Sequence, residues 1–523
     1  MRFTPLSALL TLLLLFCADR CGAARILGLF ATPAKSHSRV FEALFQELAV
    51  RGHQVTFGSP FGLQWPSNLN ASSKGKIDYV HLDDQGVLGS IMGNVVGPKR
   101  KPLSESLWLW TIAPDLCRNE LNSPGLKPII EAGKNKTISF DLVIVESFFF
   151  DCFVPVARLF EAPLVLFTSQ WAPQWAHQAM GNPDSWATSP NMFLPYTHKM
   201  SFFERMHNVM HSATALLARK YLELPRQDKV VKEIFGGDFP TLANMEKEAA
   251  LMLINSHPIT NSPHANLPNV VEVGGIHIKP AKSLDKDLQK FFDDSPKGVI
   301  LFSLGSLITK DTMDPERLTT LTTAMGAIDY PILWRWDTED VPNLPKNVKI
   351  VSWLPQRDVL AQKNLRLFVT HGGLLSTQEA TYEGVPRLVM PFFGDQQSNA
   401  QKVVQLGVGL SLNYYSASAE ELVKSVNKIM NDKSFSERAK QLSTAFRDQL
   451  NSPLERAVFW TEHVIKQKGA QYLRTTSIDL NWLQDTCLDV ILALILSAAV
   501  VSIIATKLMK KFLNHFSRKV KSD

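Results

Sequence analysis

The chain has 523 residues, which is long enough for two domains and additional segments. Its composition is 45% hydrophobic and 20% charged, as is usual for a globular protein, and its net charge is +6. That charge lies mostly in residues 507–523, which hold six basic side chains against one acidic. The body is therefore close to neutral, which argues against a nucleic-acid-binding protein.

The first 23 residues have the pattern of a secretory signal peptide. Arg2 precedes an apolar run at residues 9–16, and small residues follow up to Ala23. We expect cleavage after Ala23. Two glycosylation sequons, which begin at Asn70 and Asn135, are consistent with a body that faces the lumen of the secretory pathway.

Residues 24–280 predict one α/β half. Short apolar runs typical of buried parallel strands occur at residues 25–30, 54–57, 140–145, 162–167, 251–255 and 271–276. His37 lies in the loop between the first of these runs and a segment with helical apolar spacing. Glu146 ends the strand at 140–145, and Asp151 lies five residues further on. From residue 68 to residue 136 the pattern is poor.

Two features of this half leave alternatives open. A disulfide between Cys117 and Cys152 is possible in an oxidising compartment but is not required. Residues 168–239 are rich in Trp, Met, Phe and His. Ordinary core packing accounts for any one of them, whereas together they suit an adaptable apolar pocket for lipophilic ligands.

A polar linker at about residues 279–295 precedes a second set of strand patterns. These occur at residues 298–304, 331–336, 348–352, 366–370 and 387–390, so residues 281–485 predict a second α/β half. The linker contains the D-x-D sequence Asp285-Lys286-Asp287, which precedes a helix. We expect no metal role for it.

The stretch from Trp353 to Asn399 contains a predicted strand, a turn, a helix and a further strand. The turn is His371-Gly372-Gly373, and the helix runs from about Leu374 to Glu383. A glycine pair there exposes backbone N–H groups at a helix N-terminus, which favours a phosphate. Gly305 and Ser306, after the strand at 298–304, form a second turn of this kind.

Polar side chains around this turn suit the remaining parts of a nucleotide sugar. His371 can donate to a phosphate oxygen, and Ser376 adds a hydroxyl in the first turn of the helix. Glu379 lies three residues further along the same face and can bind ribose hydroxyls. Trp353 offers a flat surface for a base, and Gln356 carries a donor and an acceptor for the edge of that base. Asp395 and Gln396 follow the next strand and suit a second set of sugar hydroxyls.

The chain resembles the UDP-glycosyltransferases, which move a sugar from a UDP-sugar to a small acceptor. The resemblance rests on three spaced motifs read in order, W-x-x-Q from Trp353, H-x-G-x-x-S-x-x-E from His371, and D-Q at Asp395. It extends over essentially the whole chain and is strongest with the membrane-bound animal branch, particularly the insect type. It implies the GT-B fold, in which two doubly wound Rossmann-like domains face a cleft.

The resemblance also implies which half does what. Residues 24–280 would bind a small lipophilic acceptor, and residues 281–485 the UDP-sugar donor, with no metal or other cofactor. His37 would be the catalytic base, with a buried carboxylate to orient its ring. Glu146 and Asp151 both qualify, and we favour Asp151. Leu375 stands where many members carry Asn or His, so one donor contact is expected to be lost.

The C-terminus predicts a membrane anchor. Residues 486–506 form an apolar stretch long enough to span a bilayer, and Lys507, Lys510 and Lys511 follow at once. Residues 507–523 would then be a cytosolic tail ending in a K-x-K-x-x retrieval pattern. We expect a single-pass type I protein of the endoplasmic reticulum membrane, with the body in the lumen.

Two functional hypotheses follow. The first is an inverting transferase that moves a hexose to a lipophilic hydroxyl, and the resemblance favours glucose over glucuronate. The second is a catalytically weak membrane protein that binds a UDP-sugar or a lipophile. The sequence does not name the acceptor, and a homo-oligomer is possible.

Overall fold

The computed structural model describes residues 22–32, 34–62, 75–82, 102–305 and 308–519. Most of the predicted signal peptide, the sequon at Asn70, Ser306 and the end of the tail from Val520 lie outside these residues. The chain divides into two compact units, Met1–Leu473 and Arg474–Asp523.

The first unit contains two parallel sheets. Among the described residues the first sheet has seven strands in the order β3-β2-β1-β4-β5-β6-β7, and every ladder is parallel. Its strands are β1 (Arg25–Leu29), β2 (Gln54–Ser59), β3 (Lys76–His81), β4 (Leu142–Glu146), β5 (Leu164–Thr168), β6 (Leu251–Ile254) and β7 (Val270–Glu272).

The second sheet has six described strands in the order β10-β9-β8-β11-β12-β13, and it is also parallel throughout. Its strands are β8 (Val299–Ser303), β9 (Ile332–Arg335), β10 (Val348–Val351), β11 (Leu365–Thr370), β12 (Arg387–Val389) and β13 (Gly409–Ser411).

Helices cover both faces of each sheet. Those in the first half are α1 (Lys35–Val50), α2 (Pro102–Leu121), α3 (Lys127–Lys134), α4 (Pro155–Leu159), α5 (Gln174–Met180), α6 (Phe202–Ala218), a π-helical segment (Arg219–Glu223), α7 (Leu224–Phe235) and α8 (Leu242–Met245). Those in the second half are α9 (Lys286–Asp293), α10 (Pro315–Gly326), α11 (Gln356–Leu360), α12 (Leu374–Glu383), α13 (Gln396–Gln405), α14 (Ala419–Asn431), α15 (Lys433–Arg447) and α16 (Pro453–Lys466).

Alternate residues of the strands fill separate cores on the two faces of each sheet. In β1, for example, Leu27 belongs to one core and Ile26 to the other. In β8, Ile300 and Leu301 divide in the same way. Strands buried on both faces read as continuous apolar runs, which is why the sequence located them. Two doubly wound α/β halves are thereby confirmed.

The order of the strands reverses between β1 and β4 in the first sheet, and between β8 and β11 in the second. At such a switch point the flanking loops diverge and open a crevice at the carboxyl ends of the strands. β1 and β4 lead to His37 and Glu146, and β8 and β11 lead to Gly305 and His371. These residues therefore lie where open α/β sheets bind ligands.

The helix expected after Asp285-Lys286-Asp287 is α9, and Asp285 caps it by accepting a hydrogen bond from the Leu288 N–H. The structure differs from the sequence patterns in three places. The poorly patterned stretch before residue 136 contains β3, α2 and α3, and β13 lies where no strand was predicted. Helix α16 returns to the first half, where Ala457, Val458 and Val464 pack in the core that α1 covers.

Cys117 and Cys152 form a disulfide that joins α2 to the loop after β4. The sequence had left this pairing open. Because the bond closes a loop inside the first half, it constrains the segment that forms one wall of the cleft described below.

The second unit contains a short helix α17 (Trp482–Asp485) and a long helix α18 (Leu488–Lys519). The 28 residues Leu488–His515 are long and apolar enough to cross a membrane, and an 18-residue window within them has a mean hydropathy of 2.7. This helix extends beyond the predicted span at 486–506, so the first residues of the predicted tail are helical as well.

Candidate active site

One cavity of about 410 Å³ lies between the two halves of the first unit. Its lining includes nearly all of the residues that the sequence singled out. These are His37, Gly305, Trp353, Gln356, His371, Gly373, Ser376, Glu379, Asp395 and Gln396. Glu146 and Asp151 are not among the lining residues, and Ser306 lies outside the described residues.

His37 lies in the first turn of α1, directly after the switch-point loop. Its Nδ1 is 2.9 Å from the Ser169 hydroxyl, and its Nε2 is 3.4 Å from the amide nitrogen of Gln170. With the Gln170 amide nitrogen facing Nε2, we assign the lone pair to Nε2 and the proton to Nδ1, which then donates to Ser169. Burial lowers the pKa of His37 to about 4. The imidazole is therefore neutral at pH 7 and can accept a proton at Nε2.

The structure does not bring the predicted partner Asp151 to the ring of His37, whose two nitrogens lie next to Ser169 and Gln170. The Asp151 carboxylate lies 2.8 Å from the guanidinium of Arg219, which also contacts Glu246 at 2.6 Å. All three side chains are buried. A buried guanidinium must be compensated by carboxylates, and here it holds Asp151 away from the imidazole.

Glu146 binds the backbone of the loop that leads to His37. Among its described hydrogen bonds, none is to the imidazole ring of His37. Its Oε2 accepts from the N–H groups of Thr32 at 2.7 Å and Ala31 at 3.1 Å. Burial raises the pKa of Glu146 to about 7. Glu146 thus anchors the loop between β1 and α1 and determines where the first turn of α1 begins.

The turn after β11 places His371 between two glycines. A Cβ on Gly373 would lie 2.6 Å from His371 Nε2, and one on Gly305 would lie 2.9 Å from His371 Cε1. Gly372 has φ 86, and a Cβ there would meet Val389 at 2.5 Å. Any side chain at these positions would displace the imidazole or the neighbouring strand. The glycines therefore serve the packing of His371 as well as access to the backbone.

The imidazole of His371 is partly exposed, and its buried Nδ1 has no hydrogen-bond partner among the described residues. Burial lowers the pKa of His371 to about 4, so the ring is neutral. Helix α12 begins directly after Gly373 and directs its N-terminal dipole at the same space. A neutral donor and a helix N-terminus suit a phosphate group that already carries its own negative charge.

Gln356, Ser376 and Glu379 form one hydrogen-bonded group. The Gln356 amide nitrogen donates to Glu379 at 2.6 Å and to Ser376 at 3.0 Å. Burial raises the pKa of Glu379. Trp353, next to this group, is 66% exposed. It lines the cavity, so its indole is accessible to a ligand there.

Asp395 and Gln396 are held in place by the surrounding turn. The Asp395 carboxylate accepts from Asn399 at 2.7 Å, and burial raises its pKa to about 6. The Gln396 side-chain oxygen accepts from the Phe392 N–H at 2.8 Å. From the other half, Glu105 of α2 accepts a 2.6 Å hydrogen bond from the Gly394 N–H. Two carboxylates thus flank this turn.

Sequence reasoning missed Ser169, Gln170, Arg335 and Glu105. Ser169 and Gln170 directly follow β5, and Arg335 ends β9, where it donates to the Gly305 carbonyl at 3.1 Å. Polar residues at the carboxyl ends of strands near a switch point are a usable signal, and it would have found these three. Glu105 offered no such signal, because α2 was not recognised.

The first half supplies an apolar wall of the cavity. It consists of Trp108, Leu109, Ile112, Phe148, Phe150, Met192 and Phe193. Of the aromatic and methionine residues at 168–239, Met192 and Phe193 line the cavity, whereas Trp175 and Met180 are buried in the core and do not. Leu375 lines the cavity where a polar residue would have offered a donor.

Among the described residues, His177, Asp184 and His264 form one cluster with the spacing of metal ligands. His177 Nδ1 accepts from Asn182 at 2.7 Å, and its ring also bonds to the Ala172 backbone. Both ring nitrogens are then engaged, so this cluster is poorly suited to a metal. None of its members lines the cleft.

A family model described as UDP-glucoronosyl and UDP-glucosyl transferase matches residues 117–523. A relative from Dactylopius coccus, UDP-glycosyltransferase UGT5, is 35% identical over 90% of this chain and 88% of its own length. UDP-glucosyltransferase 2 from the same insect is 32% identical over 96% and 95%. Human UDP-glucuronosyltransferase 2B7 is 29% identical over 99% and 98%.

Solved glycosyltransferases share the fold. The crystal structure of glycosyltransferase VinC in complex with DTDP matches with a TM-score of 0.56 and 16% identity. The match covers 85% of this chain and 100% of that one. The expected GT-B arrangement is thereby confirmed at the level of the fold.

Proposed function

The chain belongs to the UDP-glucuronosyl and UDP-glucosyl transferase family, and on that premise we propose that it transfers glucose from UDP-glucose to a hydroxyl of a small lipophilic acceptor. The observation that carries the proposal is that one cavity holds both a neutral imidazole, that of His37, and a glycine turn at a helix N-terminus. A base for the acceptor and a cradle for the leaving group are the two parts that such a transfer needs.

The donor lies along the second half in this proposal. Its base stacks on Trp353, its ribose hydroxyls bind Glu379, and its diphosphate lies at His371 and the first turn of α12. The hexose hydroxyls reach Asp395 and Gln396. As the bond between the sugar and UDP breaks, negative charge grows on the diphosphate, where His371 and the helix N-terminus stabilise it. This chain supplies that stabilisation through its own side chains and backbone, with no metal in the step.

The acceptor lies against the apolar wall with its hydroxyl toward His37. His37 Nε2 takes the hydroxyl proton while the oxygen attacks the anomeric carbon from the face opposite UDP. UDP leaves with the bonding electron pair, so the anomeric configuration inverts. The Ser169 hydroxyl keeps its hydrogen bond with Nδ1–H and orients the imidazolium as it forms.

The charges around Gly394 favour a neutral hexose over a uronic acid. Asp395 has a pKa near 6 and is mostly ionised at pH 7. The carboxylate of Glu105 lies on the neighbouring N–H. A third carboxylate on the donor sugar would be repelled by both. The names of the relatives include both glucosyl and glucuronosyl transferases, so they do not decide this point.

One observation favours the alternative, a membrane protein that binds its ligand but catalyses weakly. Among the described hydrogen bonds of the His37 ring, none is to a carboxylate. Turnover separates the two. Microsomes containing the full chain are incubated with UDP-glucose or UDP-glucuronate and a panel of phenols. We expect glucosides of inverted anomeric configuration, identified by NMR. Donor binding without any glycoside across the panel would overturn the transferase proposal.

We also propose that α18 anchors the body on the lumenal side of the endoplasmic reticulum membrane. Three observations support this placement. The helix has the length and hydropathy of a span, and basic residues follow its most apolar part. Asn135 of the second sequon is exposed, as a glycan requires. The disulfide of Cys117 and Cys152 fits an oxidising compartment.

A further inference from the structure

Helix α6 and the π-helical segment that continues it bury polar side chains and expose apolar ones. Their buried side chains are largely polar and include Asn208, His211, Arg219 and Glu223. Their exposed side chains are largely apolar and form what we term the outer face, consisting of Phe202, Phe203, Met206, Val209, Met210, Leu217, Tyr221 and Leu222. A helix at a water surface shows the opposite arrangement.

The buried polar groups explain why the apolar residues must point outward. Asn208 donates to the carbonyls of Trp186 and Ser189 and accepts from the Asn191 N–H. Arg219 holds the carboxylates of Asp151 and Glu246. These bonds fix the rotation of α6 about its axis. The outer face is therefore a permanent feature of the fold, and Phe203, for example, remains 72% exposed.

Most of the exposed charged residues around the outer face are basic. In residues 199–229, all of which the structure describes, the most exposed charged residues are Lys199, Lys220, Arg226 and Lys229. The acidic residues in this stretch are only partly exposed or buried, and each is engaged. Glu204 closes a capping box with Ser201, Glu223 pairs with Arg226, and Asp228 accepts from the Leu242 N–H.

We propose that the outer face lies on a lipid bilayer with anionic headgroups. Exposed Phe, Met and Leu beside Lys and Arg are the composition of helices that lie in a membrane interface. Tyr221, with Lys220 over its ring at 5.3 Å, suits the headgroup region, where one end of a side chain is apolar and the other is wet. A symmetric contact between the outer faces of two copies would bring these basic residues against one another.

The inference rests on the proposed membrane anchorage, since a bilayer must be within reach. Residues 474–487 connect the first unit to α18. Even a fully extended segment of this length spans at most about 50 Å. A body tethered so closely meets the surface of its own membrane continually, and an exposed apolar face with positive charge would then bind it.

The test uses the full chain in proteoliposomes, with a fluorophore on a single cysteine. Among the described residues Cys487 is the one free thiol, so Cys487→Ser provides the background. An environment-sensitive dye is placed at Phe203→Cys, at Leu496→Cys within α18, and at Leu450→Cys. Leu450 is an apolar residue that is fully exposed elsewhere on the first unit, and it serves as the matched control.

Lipids that carry a quencher on the acyl chain should quench the dye at 203 and shift its emission to the blue, and the dye at 450 should show neither effect. Charge reversal with Lys220→Glu and Lys229→Glu should weaken quenching at 203 in vesicles with phosphatidylserine.

Quenching at 496 without quenching at 203 would overturn the inference while the anchorage stands. Quenching at 203 without quenching at 496 would support the inference and refute the anchorage. Energy transfer between copies labelled at 203, independent of lipid, would assign the face to self-association and would also overturn it.

Discussion

Replacing Ser169 by Ala tests whether a hydroxyl takes the place of the carboxylate that was expected beside His37. In the structure the hydroxyl oxygen accepts the Nδ1–H of His37, and the carboxylate of Asp151 is held by Arg219. The bond to Ser169 is made to a neutral ring in the ground state and to an imidazolium in the transition state. Its loss should therefore lower kcat more than it raises KM.

The magnitude follows from the charge that develops on the ring. A hydrogen bond to a charged group contributes about 1.5–3 kcal/mol, which corresponds to a loss of about 10- to 150-fold in kcat. His37→Ala removes the base itself and should cost at least about 100-fold while UDP still binds. Ser169→Thr keeps the hydroxyl and should retain most of the activity.

Asp151→Asn is the matched comparison, because it alters the carboxylate and leaves the ring and its hydroxyl partner unchanged. Breaking a buried ion pair costs about 3–5 kcal/mol, and the lower end applies because Arg219 keeps Glu246. The variant should unfold a few degrees lower and keep its kcat when folded. Initial rates at saturating UDP-glucose are measured beside thermal unfolding. A folded Asp151→Asn protein with a large loss of kcat, beside an unaffected Ser169→Ala, would refute the reasoning.

Four further outcomes are expected. The pKa of His37 is lowered to about 4, and catalysis requires its neutral form, so the acid limb that His37 contributes to kcat/KM should lie near 4, below the limb near 6 expected from Asp395. A limb near 6.5 that persists in an Asp395→Asn variant would contradict this. Trp353→Ala should raise KM for UDP-glucose by about 5- to 150-fold, because stacking on the base is lost. Thermal stability should not change, because the side chain is exposed. An unaltered KM would show that Trp353 does not belong to the donor site. Glu105→Gln keeps an acceptor for the Gly394 N–H but removes a negative charge. The value of kcat/KM for UDP-glucuronate, divided by that for UDP-glucose, should therefore rise about fivefold. A constant ratio would show that Glu105 does not select the sugar. Protease added to sealed microsomes should remove only residues after Lys507 and leave a body that carries a glycan at Asn135, whereas digestion of the body would reverse the topology.

Local patterns predicted the parts of the site that one short segment builds. The strand, turn and helix from Leu365 to Glu383 could be located because buried runs, a glycine pair and Gly384 with φ 69 follow one another within twenty residues. The placement of His371 beside Gly305 followed from the parallel topology, which brings the ends of β8 and β11 together.

Contacts between distant segments could not be predicted in this way. Asp151 was a reasonable partner for His37 until Arg219, 68 residues later in the chain, was seen to hold it. Helix α2 gave no clear pattern, because Pro114 lies inside it and its polar and apolar residues are mixed. As a result the apolar wall and Glu105 were both missed. Tertiary packing determines which of several possible partners a side chain contacts. The spacing of residues along one chain does not predict that contact.

The return of α16 to the first half makes the connection between the halves a double one. The chain crosses once after β7 and again between α15 and α16, so opening of the cleft would bend two connections at once and could not proceed as free rotation about a single linker. An exchange of halves between relatives would have to move α16 together with residues 24–280. A first half expressed without α16 would expose the core surface that Ala457, Val458 and Val464 cover, and we expect it to aggregate.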